Sequence, residues 1–269
     1  MKETESSLRR RALVTGASSG IGLEYARQLA ARGFDLLLVS NQEAEQRHVA
    51  SELAGRYGID ARPLCMDLSR REAAEELYGY CEREGMEIEI LINNAGIFFF
   101  DDVVEVNTSR LETMTGLHMA TPTLLCHLFG RAMKRRGHGH ILNMASMAAT
   151  FAVPGIAVYA ASKSYLKIFS KALYNELYDY GVTVTAVCPG AVATDLYGLP
   201  PRLQRLGIRL GILMRPERLA RKGLRAMFRG KRCVMPGAIN RLFVLIPPLI
   251  PSPLVRWIKR HAGFYRYGR

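Results

Sequence analysis

Six short runs of apolar residues, most of them separated from the next by a stretch with helical spacing, constrain the fold of this chain more than any other feature. The first, RALVT at Arg11 to Thr15, stops at a glycine cluster before the helical IGLEYARQLAARG, which ends at Gly33. FDLLLVS and DARPLCMDL follow with EAEQRHVASELAGRYG between them, and REAAEELYGYCEREG then leads to IEILINNAG. A long helix over 108–136, the strand GHILNMAS, a helix over 159–180 and the strand VTVTAVCPG complete the series. Strands that are apolar throughout, rather than alternating, must be buried on both faces, and the intervening helices supply the cover. The prediction is an α/β fold with six strands in a doubly wound parallel sheet and helices on both faces. At 269 residues the chain suits one such domain with an appendage. The division expected is a core over 1–195, with a substrate lid and a basic, apolar C-terminal extension over 196–269 of the same domain.

The charge is segregated in the same way. From Leu196 onward there are seventeen Lys and Arg against the single acid Glu217, a balance of +16, whereas the preceding 195 residues sum to −3. The apolar stretch LFVLIPPLIPSPLVRWI contains four prolines and Arg256, which argues against a membrane-spanning helix. Two readings of this end stay open: contact with an anionic membrane surface, which Trp257 would suit, or an arm packed on the protein or on a second subunit. The five cysteines are scattered and form no C-x-x-C pair, so neither a disulfide framework, a zinc site nor any other metal is expected, and a reducing compartment is implied. The amino terminus MKETESSLRRR lacks the apolar core of a secretory signal. The expected location is cytoplasmic, with peripheral membrane contact as the variant.

Two local patterns carry chemistry. In TGASSGIG, Gly16, Gly20 and Gly22 stand between the first strand and the first helix. Missing Cβ atoms permit a tight turn and close backbone approach, and the helix start offers free N–H groups to a pyrophosphate. In YAASK, Tyr159 and Lys163 are one helical turn apart on the same face. Taken alone, that pair reads first as an ordinary helix surface, where aromatic and Lys side chains often share this spacing. Acidifying a phenol from ~10 to ~7 requires roughly 4 kcal/mol, and an ammonium at ~4 Å with an effective dielectric of ~20 supplies about that.

Together these motifs resemble the short-chain dehydrogenase/reductase family, whose first turn reads T-G-x-x-x-G-x-G. The likeness recurs in order at NNAG (Asn93 to Gly96), Ser146, YAASK and PGAVAT (Pro189 to Thr194). It implies a Rossmann-like core and an enzyme that interconverts a ketone and a secondary alcohol with NAD(P). By the same resemblance Tyr159 is the general acid or base, Lys163 lowers its pKa and binds the nicotinamide ribose, and Ser146 holds the substrate carbonyl. The cofactor positions implied are Gly16, Ser18, Ser19, Gly20, Ile21 and Gly22 in the first turn, Ser40 and Asn41 after the second strand, and Asp67 and Leu68 at the adenine. Asn93, Ala95 and Gly96, then Pro189, Gly190, Val192 and Thr194, complete the set together with Tyr159 and Lys163.

The chain departs from the family pattern twice. His118 stands where the family has a proton-relaying Asn; it either serves that relay or is a satisfied core histidine. Ser40 and Asn41 are neutral where NAD-binding members carry an acid, so nothing repels an additional phosphate, which favours NADP. The segment containing Leu196, Tyr197, Leu199, Leu203, Leu206, Ile208, Leu210, Ile212, Leu213 and Met214 reads as an amphipathic lid, which predicts an apolar substrate such as a long-chain acyl, sphingoid or steroid-like ketone. The nearest branch by resemblance contains hydroxysteroid dehydrogenases and long-chain 3-oxoacyl reductases. A homodimer or homotetramer through the helices over 108–136 and 159–180 is implied, with no nucleic-acid partner. The competing functions are a non-catalytic dinucleotide sensor or nucleic-acid binder on the same scaffold, and an epimerase or dehydratase of the same family.

Overall fold

The computed structural model describes residues 10–261 other than 195, 197, 245, 248 and 249. Asp195 at the expected boundary, Tyr197 of the expected lid and the residues outside 10–261 therefore lie beyond this description.

The chain enters the sheet at its centre. β1 (Arg11–Thr15) leads through α1 (Gly20–Ala30) to β2 (Asp35–Ser40), then through α2 (Glu43–Tyr57) to β3 (Ala61–Cys65). After α3 (Ala73–Arg83) it crosses back to β4 (Ile90–Asn93) on the other side of β1. It continues outward through α4 (Thr108–Thr115), α5 (Thr121–Arg136), β5 (Gly139–Met144), α6 (Ala157–Leu177) and β6 (Val182–Val187). The strand order is β3-β2-β1-β4-β5-β6-β7, all parallel. Connections therefore diverge on either side of the β1/β4 pair, and in such sheets the crevice beyond the carboxyl ends of that pair receives the ligand.

Successive strand residues divide the core into two layers, because side chains alternate across the sheet. Ala12, Val14, Leu36, Leu38, Ile90 and Ile92 pack with α1, α2 and a later helix, α8 (Pro216–Phe228). Leu13, Leu37, Val39, Leu91 and Ile141 pack on the opposite side with residues of α3 and α5. The expected helices on both faces are thus present. β3 is an edge strand, which explains its tolerance of Pro63.

The structure corrects the expected elements in two places. A seventh strand, β7 (Cys233–Val234), pairs with β6 at the far edge. The helix expected over 108–136 is interrupted between α4 and α5 by a π-helical turn, Gly116–Ala120. Pro122 explains the interruption: it has no N–H to offer the carbonyl of His118 four residues earlier, so the regular ladder cannot run through this point. Beyond the core, α7 (Pro201–Arg209), α8, α9 (Ala238–Phe243) and α10 (Ser252–His261) carry the basic extension. No helix among the described residues is long and apolar enough to cross a membrane.

Candidate active site

Two turns meet at the carboxyl ends of β1 and β4. The Thr15 hydroxyl accepts from the backbone N–H groups of Asn94 (2.9 Å) and Ala95 (3.0 Å) and donates to the Ile92 carbonyl (3.2 Å). The Asn94 amide in turn donates to the carbonyls of Thr15 (2.9 Å) and Gly16 (3.2 Å). This clamp holds Gly16 at φ +64, where a Cβ would stand 2.9 Å from the Cα of Ala95. Glycine is required there both by dihedral and by space. At the start of α1 the Ser19 side chain makes no capping bond and no acid occupies the first turn, so the helix presents its free N–H groups and positive end.

These turns border a cleft of ≈ 410 Å³ that collects most of the residues singled out in the sequence. It is lined by Gly16, Ser18, Ser19, Gly20 and Ile21, by Ser40, Asn41, Asp67 and Leu68, and by Ala95 and Gly96. Pro189, Gly190, Val192 and Thr194 close it on another side, and His118, Ser146, Tyr159 and Lys163 stand at its inner end. Two expected residues are not in the lining. Gly22 lies beneath the turn, where a Cβ would come 2.0 Å from the Gly16 carbonyl oxygen, so its role is close packing. Asn93 is buried between strands and donates to the Asn143 side chain (2.8 Å), which donates to Ser170 (2.8 Å). It ties β4 to β5 and α6.

Sequence reasoning missed Asn94 and Gln42. Gln42 takes the Ser18 hydroxyl proton at 2.6 Å and donates its own N–H to the Ser40 hydroxyl at 3.1 Å, which leaves Ser40 to donate to Ser18 at 3.0 Å. This end of the cleft is therefore a neutral cluster of hydroxyl and amide groups. Asp67 is fixed by accepting from the backbone and the hydroxyl of Ser69 (2.9 and 2.8 Å).

The inner end holds the polar corner. The turn after β5 delivers Ser146, whose hydroxyl accepts from the Ala148 N–H (3.1 Å) and borders the cleft together with the Tyr159 phenol. Ser146 and Tyr159 are each 7% exposed and Lys163 6%. The Lys163 ammonium donates to the Met144 carbonyl (2.9 Å) and stands 5.8 Å from the Tyr159 ring centroid. Burial lowers the Lys163 pKa to about 8, with the Cys188 thiol pulling the other way. Burial raises the Tyr159 pKa, and the Ser146 hydrogen bond only partly offsets it. The expected acidified phenol is not what this environment favours: loss of hydration dominates at Tyr159, and the Lys163 ammonium gives its hydrogen bond to a carbonyl. Tyr159 is accordingly protonated at neutral pH.

His118 sits in the π turn, with its Nε2 accepting from the Ile97 N–H (3.1 Å). Because Ser162 gives its proton to the Tyr159 carbonyl (2.8 Å), the bond between His118 Nδ1 and Ser162 (3.0 Å) must be donated by the histidine. Both ring nitrogens are thus committed, and neither is free to pass a proton. Burial, with Lys163 nearby, pushes the His118 pKa well below its ordinary value. Of the two readings, the satisfied buried histidine fits this geometry.

The apolar wall beside the corner comes from a different segment than the lid. Ile97, Phe98, Phe99, Phe151, Ile156 and Val158 pack against the buried cluster of Met114, Ala148, Tyr159 and Ala160, with the Phe98 ring edge-on to Tyr159 at 5.0 Å and 88°. In the expected lid, Leu196 borders the cleft and Leu213 is buried against Gly207. Leu203, Leu206, Leu210 and Ile212 instead point to solvent, since α7 buries none of its residues.

Comparison with known proteins agrees with this geometry. Residues 10–199 match the family model for short chain dehydrogenase. Among curated proteins, the very-long-chain 3-oxoacyl-CoA reductase of Anas platyrhynchos is 33% identical over 192 residues, 69% of this chain and 60% of that protein. Hydroxysteroid dehydrogenase-like protein 1 of Gallus gallus is 32% identical over 191 residues, 69% of this chain and 56% of its own length. The alignment thus covers less than two thirds of these relatives. Among solved structures, a short-chain dehydrogenase from Sphingobium yanoikuyae in complex with NADPH superposes with a TM-score of 0.78 at 30% identity, covering 88% of this chain and 92% of that one. The bulky-bulky ketone specific alcohol dehydrogenase from Comamonas testosteroni gives 0.73 at 28% identity, covering 96% and 92%.

Proposed function

The chain belongs to the short-chain dehydrogenase/reductase family of NAD(P)-dependent oxidoreductases, and on that premise we propose that it interconverts a bulky apolar ketone and its secondary alcohol. The observation that carries this reading is the convergence of Ser146, Tyr159 and Lys163 on one end of the glycine-lined cleft, with the Phe98 ring edge-on to the phenol.

The residues present fit a dinucleotide. The glycine turn leaves the backbone bare where a Cβ would collide, and the α1 start presents unpaired donors to a pyrophosphate. Asp67 and Leu68 would border the adenine, Lys163 would hold the nicotinamide ribose, and Gly190, Val192 and Thr194 would flank the nicotinamide. When bound, the cofactor supplies or accepts the hydride. The chain's own residues manage the oxygen. Ser146 and Tyr159 donate hydrogen bonds to the carbonyl oxygen as negative charge develops there, and Tyr159 delivers the proton. A phenol that burial keeps protonated is the form that can donate to the carbonyl oxygen in the reductive step. The neutral cluster of Ser18, Ser40, Asn41 and Gln42 places no carboxylate against an additional phosphate, which favours NADP.

The substrate class follows from the wall. Phe98, Phe151 and Ile156 offer aromatic and aliphatic surface beside Tyr159, which suits a long-chain acyl, sphingoid or steroid-like ketone. The names of the relatives, a 3-oxoacyl-CoA reductase and a bulky-ketone dehydrogenase among them, support the same class. The test is absorbance at the reduced-nicotinamide band with NADPH or NADH and a ketone panel running from steroids and long-chain 3-oxoacyl thioesters to simple sugars. Turnover with the bulky apolar members and NADPH is the expected result. Turnover confined to sugars, or none with any ketone in either direction, would overturn the reading.

A further inference from the structure

We propose that the C-terminal extension docks the protein on an anionic lipid bilayer, with the apolar sides of α7, α9 and α10 as the contact face. α7 and α10 are amphipathic yet bury none of their residues, and α9 leaves Leu242 exposed. On α7 and at its C-cap, Leu203, Leu206 and Leu210 recur at helical spacing and are each at least half exposed, with Arg202, Arg205 and Arg209 of α7 beside them. On α10, Leu254 and Trp257 are exposed, the latter at 58%, while Arg256 and Arg260 occupy the other side. Neither helix buries a single residue in the protein.

The charge of this segment selects the occupant. Glu217 is the only acid after Leu196, against seventeen Lys and Arg. The cations are also gathered in space: burial and the fields of Arg218, Arg241 and Arg225 together lower the pKa of Lys222, which places residues of α8 and α9 in one positive patch. Uncovered apolar side chains and a positive patch in one extension match headgroups of negative sign over a hydrocarbon layer, whereas a second copy of the same +16 segment would meet it with like charge. The face also adjoins the proposed site. Phe243 of α9 meets Phe151 of the aromatic wall edge-on at 6.5 Å, and Lys259 of α10 pairs with Asp102 (2.6 Å) at the end of the segment that carries Phe98. A bilayer seated there lies next to the apolar end of the cleft.

Trp257 is the only tryptophan of the chain, so its emission reports on α10 without a label. The full chain is mixed with phosphatidylcholine vesicles, with or without phosphatidylserine. A blue shift and co-flotation are expected with phosphatidylserine vesicles alone, both lost at ~1 M salt, where the Debye length falls to ~3 Å. Replacing Arg218, Lys222 and Arg225 by Gln should lower the partition coefficient about 100-fold, at roughly five-fold per charge. Leu206→Gln with Leu210→Gln should weaken binding while leaving its salt dependence intact. All five side chains lie outside the cleft, and circular dichroism checks that the variants fold. An emission spectrum unchanged by anionic vesicles, equal binding to neutral ones, or a shift that follows protein concentration without lipid would overturn the proposal. No turnover is required, so the outcome is independent of the proposed activity.

Discussion

Lys163 and His118 show how burial decides what a titratable side chain can do. With its pKa brought to about 8 by desolvation, Lys163 loses its proton within reach of ordinary assays. Every role assigned to the ammonium is therefore present below that value and lost above it. kcat/KM for reduction should fall as pH rises through about 8, and Lys163→Met should be slow at all pH values and lack this limb. A wild-type profile flat through that region would contradict the assignment. His118 moves the balance the other way. Its pKa is depressed in the folded protein, so on acidification the unfolded chain gains a proton that the native state refuses, and stability falls as pH drops below about 6.5. His118→Asn should lower Tm near neutrality, because the Ser162 and Ile97 bonds are lost, yet give a shallower fall in Tm from about pH 7 to about pH 5. An unchanged slope would mean that His118 takes up a proton in the native protein.

At the scale of elements, the proposed reading gives the wall of Ile97, Phe98 and Phe99 the choice of substrate. Phe98→Ala should raise KM for a bulky ketone about ten-fold, the cost of one buried aromatic contact of ~1.4 kcal/mol, while a small ketone is little affected. Equal effects on both would show that Phe98 positions Tyr159 rather than the substrate. This wall also marks where sequence legibility ended. The sheet could be read because its strands are unbroken apolar runs, and the cleft because the glycine turn, Ser146 and YAASK are local patterns whose spacing carries their geometry. IFFF, by contrast, comes three residues after β4 and has the composition of another strand, so nothing local announces a wall. β7 has only Cys233 and Val234 and exists because β6 offers them a free edge. Pro122 does signal the π turn, but the period of a helix cannot say whether a proline kinks it, ends it or widens one turn. Gln42 and Asn94 are neutral side chains whose importance arises from partners up to 79 residues away in sequence.

At the scale of the whole molecule, the extension divides in two. α8 buries Leu219, Leu224 and Met227 completely against the layer that contains α1, so each contributes about 1.5–3 kcal/mol, together a large share of the ~5–15 kcal/mol that holds a domain folded. We propose accordingly that 196–240 is part of the same domain as 1–195. Ending the chain after Thr194 should abolish a cooperative thermal transition, whereas ending it after Asn240 should preserve one; two equally stable products would contradict this division. The oligomer proposed through α4, α5 and α6 has Tyr165, Ile168 and Tyr178 exposed on and beside α6 as its apolar surface. Cleft, polar corner and wall act as one reductase only if the buried, protonated phenol gives up its proton at the moment of hydride transfer. The most direct measurement follows oxidation of bound NADPH by a bulky ketone in the intact protein and in Tyr159→Phe, with cofactor affinity titrated in parallel. Turnover should fall by ~10²–10⁴-fold while NADPH affinity stays within a few-fold; a Phe variant that turns over as fast as the wild type would contradict the role of Tyr159 outright.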